Sequence, residues 1–161
     1  MRGNGLLTWE NNVPFFASPS QEPVPTGFQH WTPADIQNLS KPLAASAAAE
    51  AHHVATKTLA DFPNDLFLLA HREADGTPEL HETQVDVFFV QSGSATLLVG
   101  GALVNAEVTA PHEKRNGTIQ GGARRKLSPG DVVRIPANVP HQILLDGARD
   151  FTYLVVKIKG Y

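Results

Sequence analysis

The 161-residue chain contains no cysteine. Disulfides and thiolate metal sites are therefore excluded, and any metal must be held by nitrogen and oxygen ligands. A cysteine-free chain suits the reducing cytoplasm, where we expect it, and equally permits an exported protein whose leader has been removed. No apolar run reaches the roughly 18–20 residues that a membrane span needs, so no membrane partner is expected. The first residues, Met1 to Gly5, lack the apolar core of a signal peptide. An excess of one charge is missing too. Thirteen Lys and Arg against sixteen Asp and Glu give a net charge of −3, which offers no global attraction to nucleic acid. Nucleotide-binding and nucleophile-elbow motifs are absent as well. What the chain does have is punctuation. Thirteen glycines and twelve prolines break it into short segments, and its length suffices for one domain with a core of its own.

Residues 1–54 read as an arm and short helices that pack on a barrel formed by 55–161. Pro14, Pro19, Pro23 and Pro25 keep the arm extended, and Trp9, Phe15 and Phe16 can pack on the barrel or on a partner subunit. Thr32 is a good N-cap and Pro33 suits the first helical position, with Asp35 near the positive helix end. Pro42 is expected to end this helix or start another, and the alanine run 44–51 to extend a second one. The adjacent His52 and His53 point in different directions on any regular element, so they are expected at the surface or in packing. Apolar segments then recur at 66–70, 85–90, 95–99, 132–135, 142–145 and 151–158, separated by turn signals such as Asp75-Gly76-Thr77-Pro78 and Ser128-Pro129-Gly130-Asp131. The polar stretch 105–126 reads as a loop or a ragged hairpin. Many short strands between turns predict an all-β sandwich or barrel.

Two segments carry chemistry. In the first, Glu79 and His81 are two apart, so a strand points both to one face. Asp86 follows beside the apolar run Val87 to Val90, where a buried carboxylate needs a partner or a cation. Residues 81 and 86 differ by an odd number and face opposite sides of a regular strand. A bulge or bend within 82–85 is required for both to reach one pocket. In the second segment, Gly130 to His141, a turn and a strand lead into a loop stiffened by Pro136 and Pro140 that presents His141. Asn138 in that loop tolerates a left-handed backbone. The alternatives are a strand-start carboxylate exposed at Glu79 and a hydrogen-bonded Asp86 that orients a histidine. If 67–73 and 79–85 form a hairpin, His71 sits across from Glu79 and His81 as a replacement ligand; a packed histidine is the other reading.

These two segments resemble the paired motifs of the cupin superfamily. Glu79, His81, Asp86 and Gly93 match the first motif, and Gly130, Pro136, Asn138 and His141 match the second. Glu79 stands where the family has its leading histidine, Asp86 where it has glutamate, and Asn138 where it has glycine. The motifs span 79–141, and flanking strands extend the likeness to roughly 55–160. The resemblance implies a double-stranded β-helix (jelly-roll) barrel with an N-terminal extension, a pocket in its mouth, and a homodimer formed by sheet packing or arm exchange. It further implies a divalent metal on His81, His141, Glu79 and Asp86. Mn, Fe, Ni and Zn all suit such a set, and its two carboxylates lean it toward Mn or Fe. The implied activity is metal-dependent oxygenase, isomerase or lyase chemistry on a small organic substrate. The alternative is a non-catalytic small-molecule-binding barrel, with or without metal. Lys114, Arg115, Arg124, Arg125 and Lys126 form a basic run that either attracts an anionic substrate or is a solvated loop. Phe88, Phe89, Phe151 and Tyr153 are expected in packing, with the Tyr153 hydroxyl as a candidate pocket group. Gln84 and Gln142 are candidate pocket groups too, with solvent exposure as the default.

Overall fold

A computed structural model describes residues 23–161. The expected packing of Trp9, Phe15 and Phe16 lies outside those residues. The first regular element is the helix α1, Pro33–Ala49, opened by a capping box in which the Asp35 N–H donates to Thr32 Oγ1 and the Thr32 N–H donates to Asp35 Oδ2. Here the expectation of two short helices is corrected, because α1 runs through Pro42 as one element of 17 residues. Proline removes one N–H and crowds the preceding turn. The helix survives because its buried residues lie on both sides of the proline. Ile36 precedes it, Leu43 and Ala47 follow it, and all three pack with Ala55 and Leu69 of the sheet beneath.

Thirteen strands follow: β1 (Val54–Asp61), β2 (Asp65–Arg72), β3 (Glu79–His81), β4 (Gln84–Gly93), β5 (Ala95–Val99), β6 (Ala102–Val104), β7 (Glu107–Ala110), β8 (Glu113–Arg115), β9 (Thr118–Gln120), β10 (Ala123–Leu127), β11 (Val132–Ile135), β12 (His141–Leu144) and β13 (Phe151–Lys159). They form a five-stranded sheet in the order β1-β2-β13-β4-β11, a six-stranded sheet in the order β10-β5-β12-β3-β8-β7, and the small pair β6-β9. All pairings are antiparallel. The main core joins the two large sheets. Ala70, Phe88, Val90, Tyr153 and Val155 come from the first, and Leu97, Leu127 and Ile143 from the second. Each large apolar side chain buried there contributes about 1.5–3 kcal/mol. Along β13 the period of two puts Phe151, Tyr153, Val155 and Lys157 on one face. The first three are core; the fourth leads to the site.

Of the two readings of 105–126 the ragged hairpin holds: β7 pairs with β8 across a register shift between Val108 and Ala110, and the stretch also contains β9 and the start of β10. Its strands are only three to five residues long, too short for their residue pattern to mark them as strands, and all four residues of β7 are exposed. The turn at 128–131 forms as expected. Asp131 N–H donates to Ser128 O at 3.0 Å, and Gly130 takes φ +91° behind Pro129, the arrangement of a type II turn. Among the described residues no helix is long and apolar enough to cross a membrane.

Candidate functional site

The site forms where the two large sheets face each other. β3 lies in one sheet and β4 in the other, and the chain passes between them through the bend Glu82-Thr83. This crossing resolves the parity conflict, because His81 and Asp86 belong to different sheets and both look inward. His141 opens β12 directly beside Glu79 of β3. The loop before it is pinned by Asn138, which adopts φ +59° and donates its N–H to His81 O at 2.7 Å. Gly93 ends β4 with φ +73°, where a Cβ would lie 2.1 Å from Asp150 O. Both positions thus need residues that tolerate a left-handed backbone, and Gly93 also needs the absence of a side chain.

Four predicted residues meet here. Glu79, His81 and His141 each place one ligand atom within 4.8 Å of the others. His141 Nε2 lies 3.4 Å from Glu79 Oε1 and 3.6 Å from Asp86 Oδ2. His81 Nε2 lies 3.4 Å from Asp86 Oδ2 and 3.8 Å from Glu79 Oε2. Three members are buried, His81 at 3%, Asp86 at 2% and His141 at 1% exposure, while Glu79 is half-buried. Around it stands a second set of groups. His81 Nδ1 is 2.6 Å from Glu113 Oε2, and Arg115 Nη1 donates to Glu79 Oε2. His141 Nδ1 faces Val139 O at 3.1 Å. A carbonyl only accepts, so Nδ1 carries a proton and Nε2 is the nitrogen turned into the cluster.

The donor set fits a divalent ion. Neighbouring donors bonded at about 2.0–2.2 Å to one tetrahedral ion lie about 3.3–3.6 Å apart. Glu79, His81 and His141 could hold such an ion, since their ligand atoms all lie within 4.8 Å of one another, and Asp86 Oδ2 adds a carboxylate oxygen 3.4 Å from His81 Nε2 and 3.6 Å from His141 Nε2. His141 Nε2 is buried without a hydrogen-bond partner, an orphaned atom facing two carboxylates. Without an ion, a second proton on His141 meets the same need. Burial opposes that charge, but Asp86 and Glu79 outweigh it and hold His141 at about 9. Burial likewise pushes Glu79 up, yet His141, Arg115 and His81 bring it down to about 2. Asp86 is held well below the carboxylate range against its burial by His141, His81 and Lys157.

Lys157 was not foreseen. Its ammonium donates to Asp86 Oδ1 at 2.8 Å, to Asp86 Oδ2 at 3.0 Å and to His81 Nε2 at 2.9 Å. Parity along β13 carried the signal, since an ionisable residue continues the buried face of Phe151, Tyr153 and Val155. Glu113 lies in the stretch read as a loop or a ragged hairpin, and nothing local marked it. Arg72 is a third addition. It lines a cavity of about 220 Å³ with Glu79, Asp86, Arg115, Tyr153 and Lys157. Arg72 Nε donates to the Tyr153 hydroxyl at 3.4 Å, and among the described residues no carboxylate oxygen lies within 4.0 Å of its guanidinium. Burial pushes the Tyr153 phenol up, so it keeps its proton at neutral pH.

Other expectations divide. His71 does not face the cluster. β2 pairs with β1 and β13 rather than forming a hairpin with β3, and His71 Nδ1 is 2.8 Å from Thr152 Oγ1. Residues 68, 70 and 72 of β2 turn inward, which sends His71 to the other face with Leu69. The basic run splits in two. Arg115 borders the site and Lys114 pairs with Glu82, whereas Arg124 pairs with Asp146 on a distant strand end. Gln142 holds the Gly76 carbonyl at 2.7 Å. His52 and His53 are exposed, and Phe88, Phe151 and Tyr153 are core.

No family model and no curated protein matches the chain. Solved structures do. A conserved protein with a double-stranded β-helix domain from Klebsiella pneumoniae is 16% identical over 66% of this chain and 77% of its own, with a TM-score of 0.50. The cupin domain of Cnp3 from Schizosaccharomyces pombe is 9% identical over 66% of this chain and 61% of its own, also at 0.50. KdgF from a Halomonas species is 20% identical over 67% and 80%, at 0.49. With its two facing antiparallel sheets and the likeness to the Klebsiella pneumoniae and Schizosaccharomyces pombe domains, the chain has the cupin fold, a double-stranded β-helix.

Proposed function

We propose that Glu79, His81, Asp86 and His141 hold one divalent first-row transition metal (Mn, Fe, Ni or Zn) and that the chain acts on a small organic molecule in the adjoining cavity. The observation that carries this reading is the buried, partnerless Nε2 of His141 aimed at two carboxylates. When bound, such an ion supplies Lewis acidity at an open coordination position. The chain's own groups prepare the site. Glu113 fixes the His81 ring, the Val139 carbonyl fixes the His141 ring, and Arg115 orients Glu79. In the cavity, Arg72 offers guanidinium donors to an acidic group, and Tyr153 accepts from Arg72 while its own proton points to a ligand. Leu68, Ala70, Phe88 and Val155 supply apolar wall. The fold hosts oxygenase, isomerase and lyase chemistry alike and does not choose among them.

The second reading is a non-catalytic, metal-free binding barrel. Lys157 favours it, because a cation already sits on Asp86 and His81. Elemental analysis of protein purified without added metal separates the two. A near-stoichiometric transition metal, lost in the His81→Ala, His141→Ala double variant, supports the metal reading. No metal, and no affinity on titration, sinks it. The homodimer is carried in the same proposal, and sedimentation equilibrium reading twice the 17.4 kDa chain mass checks it.

A further inference from the structure

We infer that Lys157 is a tethered competitor for the metal position: in the metal-free chain its ammonium occupies the His81 lone pair that an ion must use, so metal enters only as Lys157 leaves. This inference rests on the metal reading above and adds a control to it.

A neutral imidazole nitrogen has one lone pair and accepts from one donor or binds one ion, not both. His81 has no second nitrogen to offer. Its Nδ1 is engaged by Glu113 at 2.6 Å, a carboxylate that accepts the ring proton. Its Nε2 is therefore the acceptor, and it receives Lys157 Nζ at 2.9 Å. The same ammonium spans both oxygens of Asp86 at 2.8 and 3.0 Å. Two of the four donors are thus already satisfied by a cation that belongs to the chain. The other two, Glu79 and His141, do not touch Lys157.

The charges make the exchange feasible. Glu79, Asp86 and Glu113 bring three carboxylates to a largely buried space, and a metal-free site needs positive charge there. Lys157 supplies part of it when no ion is present. Its side chain is 16% exposed and lines the cavity of about 220 Å³, so the flexible stem has somewhere to carry the ammonium. Asp86 and Lys157 are direct cross-strand partners on β4 and β13, which keeps the ammonium within reach of the site after it leaves. A competitor of this kind lowers apparent metal affinity by the fraction of chains in which it is withdrawn.

The test compares the wild-type chain with Lys157→Met and the control Lys159→Met, whose ammonium holds Asp61 instead. Each is stripped with chelator and titrated with Zn²⁺ and Mn²⁺ by calorimetry. If fewer than a tenth of wild-type chains have the lysine withdrawn, Lys157→Met binds at least about tenfold more tightly, and Lys159→Met matches the wild type. Equal affinity in all three overturns the inference and leaves the metal reading standing. Binding by none of them, with circular dichroism showing folded chains, overturns both. A wild-type measurement covers the case in which Lys157→Met fails to fold. Lysine ¹⁵N-ammonium NMR should show one slowly exchanging Nζ in chelator that disappears on addition of one equivalent of Zn²⁺. A signal that persists with zinc bound overturns the inference.

Discussion

Glu113 shows how much of the site depends on a residue that holds a candidate ligand without being one itself. Its carboxylate accepts from His81 Nδ1 and so decides which nitrogen faces the cluster. Groups of this kind typically govern metal affinity about 10- to 100-fold. Glu113→Gln is therefore expected to weaken metal binding by that factor while leaving the fold intact, as read by metal titration beside a far-ultraviolet spectrum. The titrations of His141 and Glu79 give a second prediction. His141 is raised from 6.5 to about 9, so its contribution to the stability of the metal-free chain is complete below 6.5 and is lost as pH rises through about 9. Glu79 is depressed from 4.5 to about 2, so its contribution is complete above 4.5 and is lost as pH falls through about 2. Urea melts of chelator-treated protein should show a plateau between pH 4.5 and 6.5 that falls on both sides. A stability that climbs from pH 6.5 to 9 contradicts this assignment.

Among the elements, α1 and the β3–β4 crossing carry different lessons. The cap at Thr32, the strands around 85–90 and 151–158, and the turn at 128–131 were legible because their signals are local. Their evidence lies in capping chemistry, period-two burial and turn residues. The continuity of α1 through Pro42 was not legible, because it depends on Leu43 and Ala47 packing against β1 and β2. The separate strands β7 to β9 were not legible because runs of three or four residues are too short to show a period. At the site, the four motif residues stood in the sequence, but the crossing that unites them is a sheet-to-sheet step that parity could only demand. Lys157 was visible to the same parity rule and was passed over for its apolar neighbours. Two substitutions test these elements. Pro42 is exposed, and Pro42→Ala restores the missing N–H to the turn at Asn38; it should stabilise the chain by about 1–3 kcal/mol in a denaturant melt. Gly93→Ala should destabilise it by more than about 1 kcal/mol, since the left-handed backbone and the Asp150 carbonyl both resist a Cβ.

On the scale of the whole molecule, two sheets whose strands interleave along the chain meet at one patch of charge. The fold holds Glu79, Asp86, Glu113, Arg115, His141 and Lys157 together where isolated ionised groups would be costly. On the proposed reading, a bound divalent ion would replace both the second proton of His141 and the ammonium of Lys157 in that balance. The most direct measurement is anomalous diffraction at the metal edge from crystals of the chain loaded with Mn²⁺ or Zn²⁺. One ion per chain bonded to His81 Nε2, His141 Nε2 and carboxylate oxygens of Glu79 and Asp86, with Lys157 swung away, is the predicted result. An ion bound elsewhere, or none bound with Lys157 still on His81, contradicts the metal site.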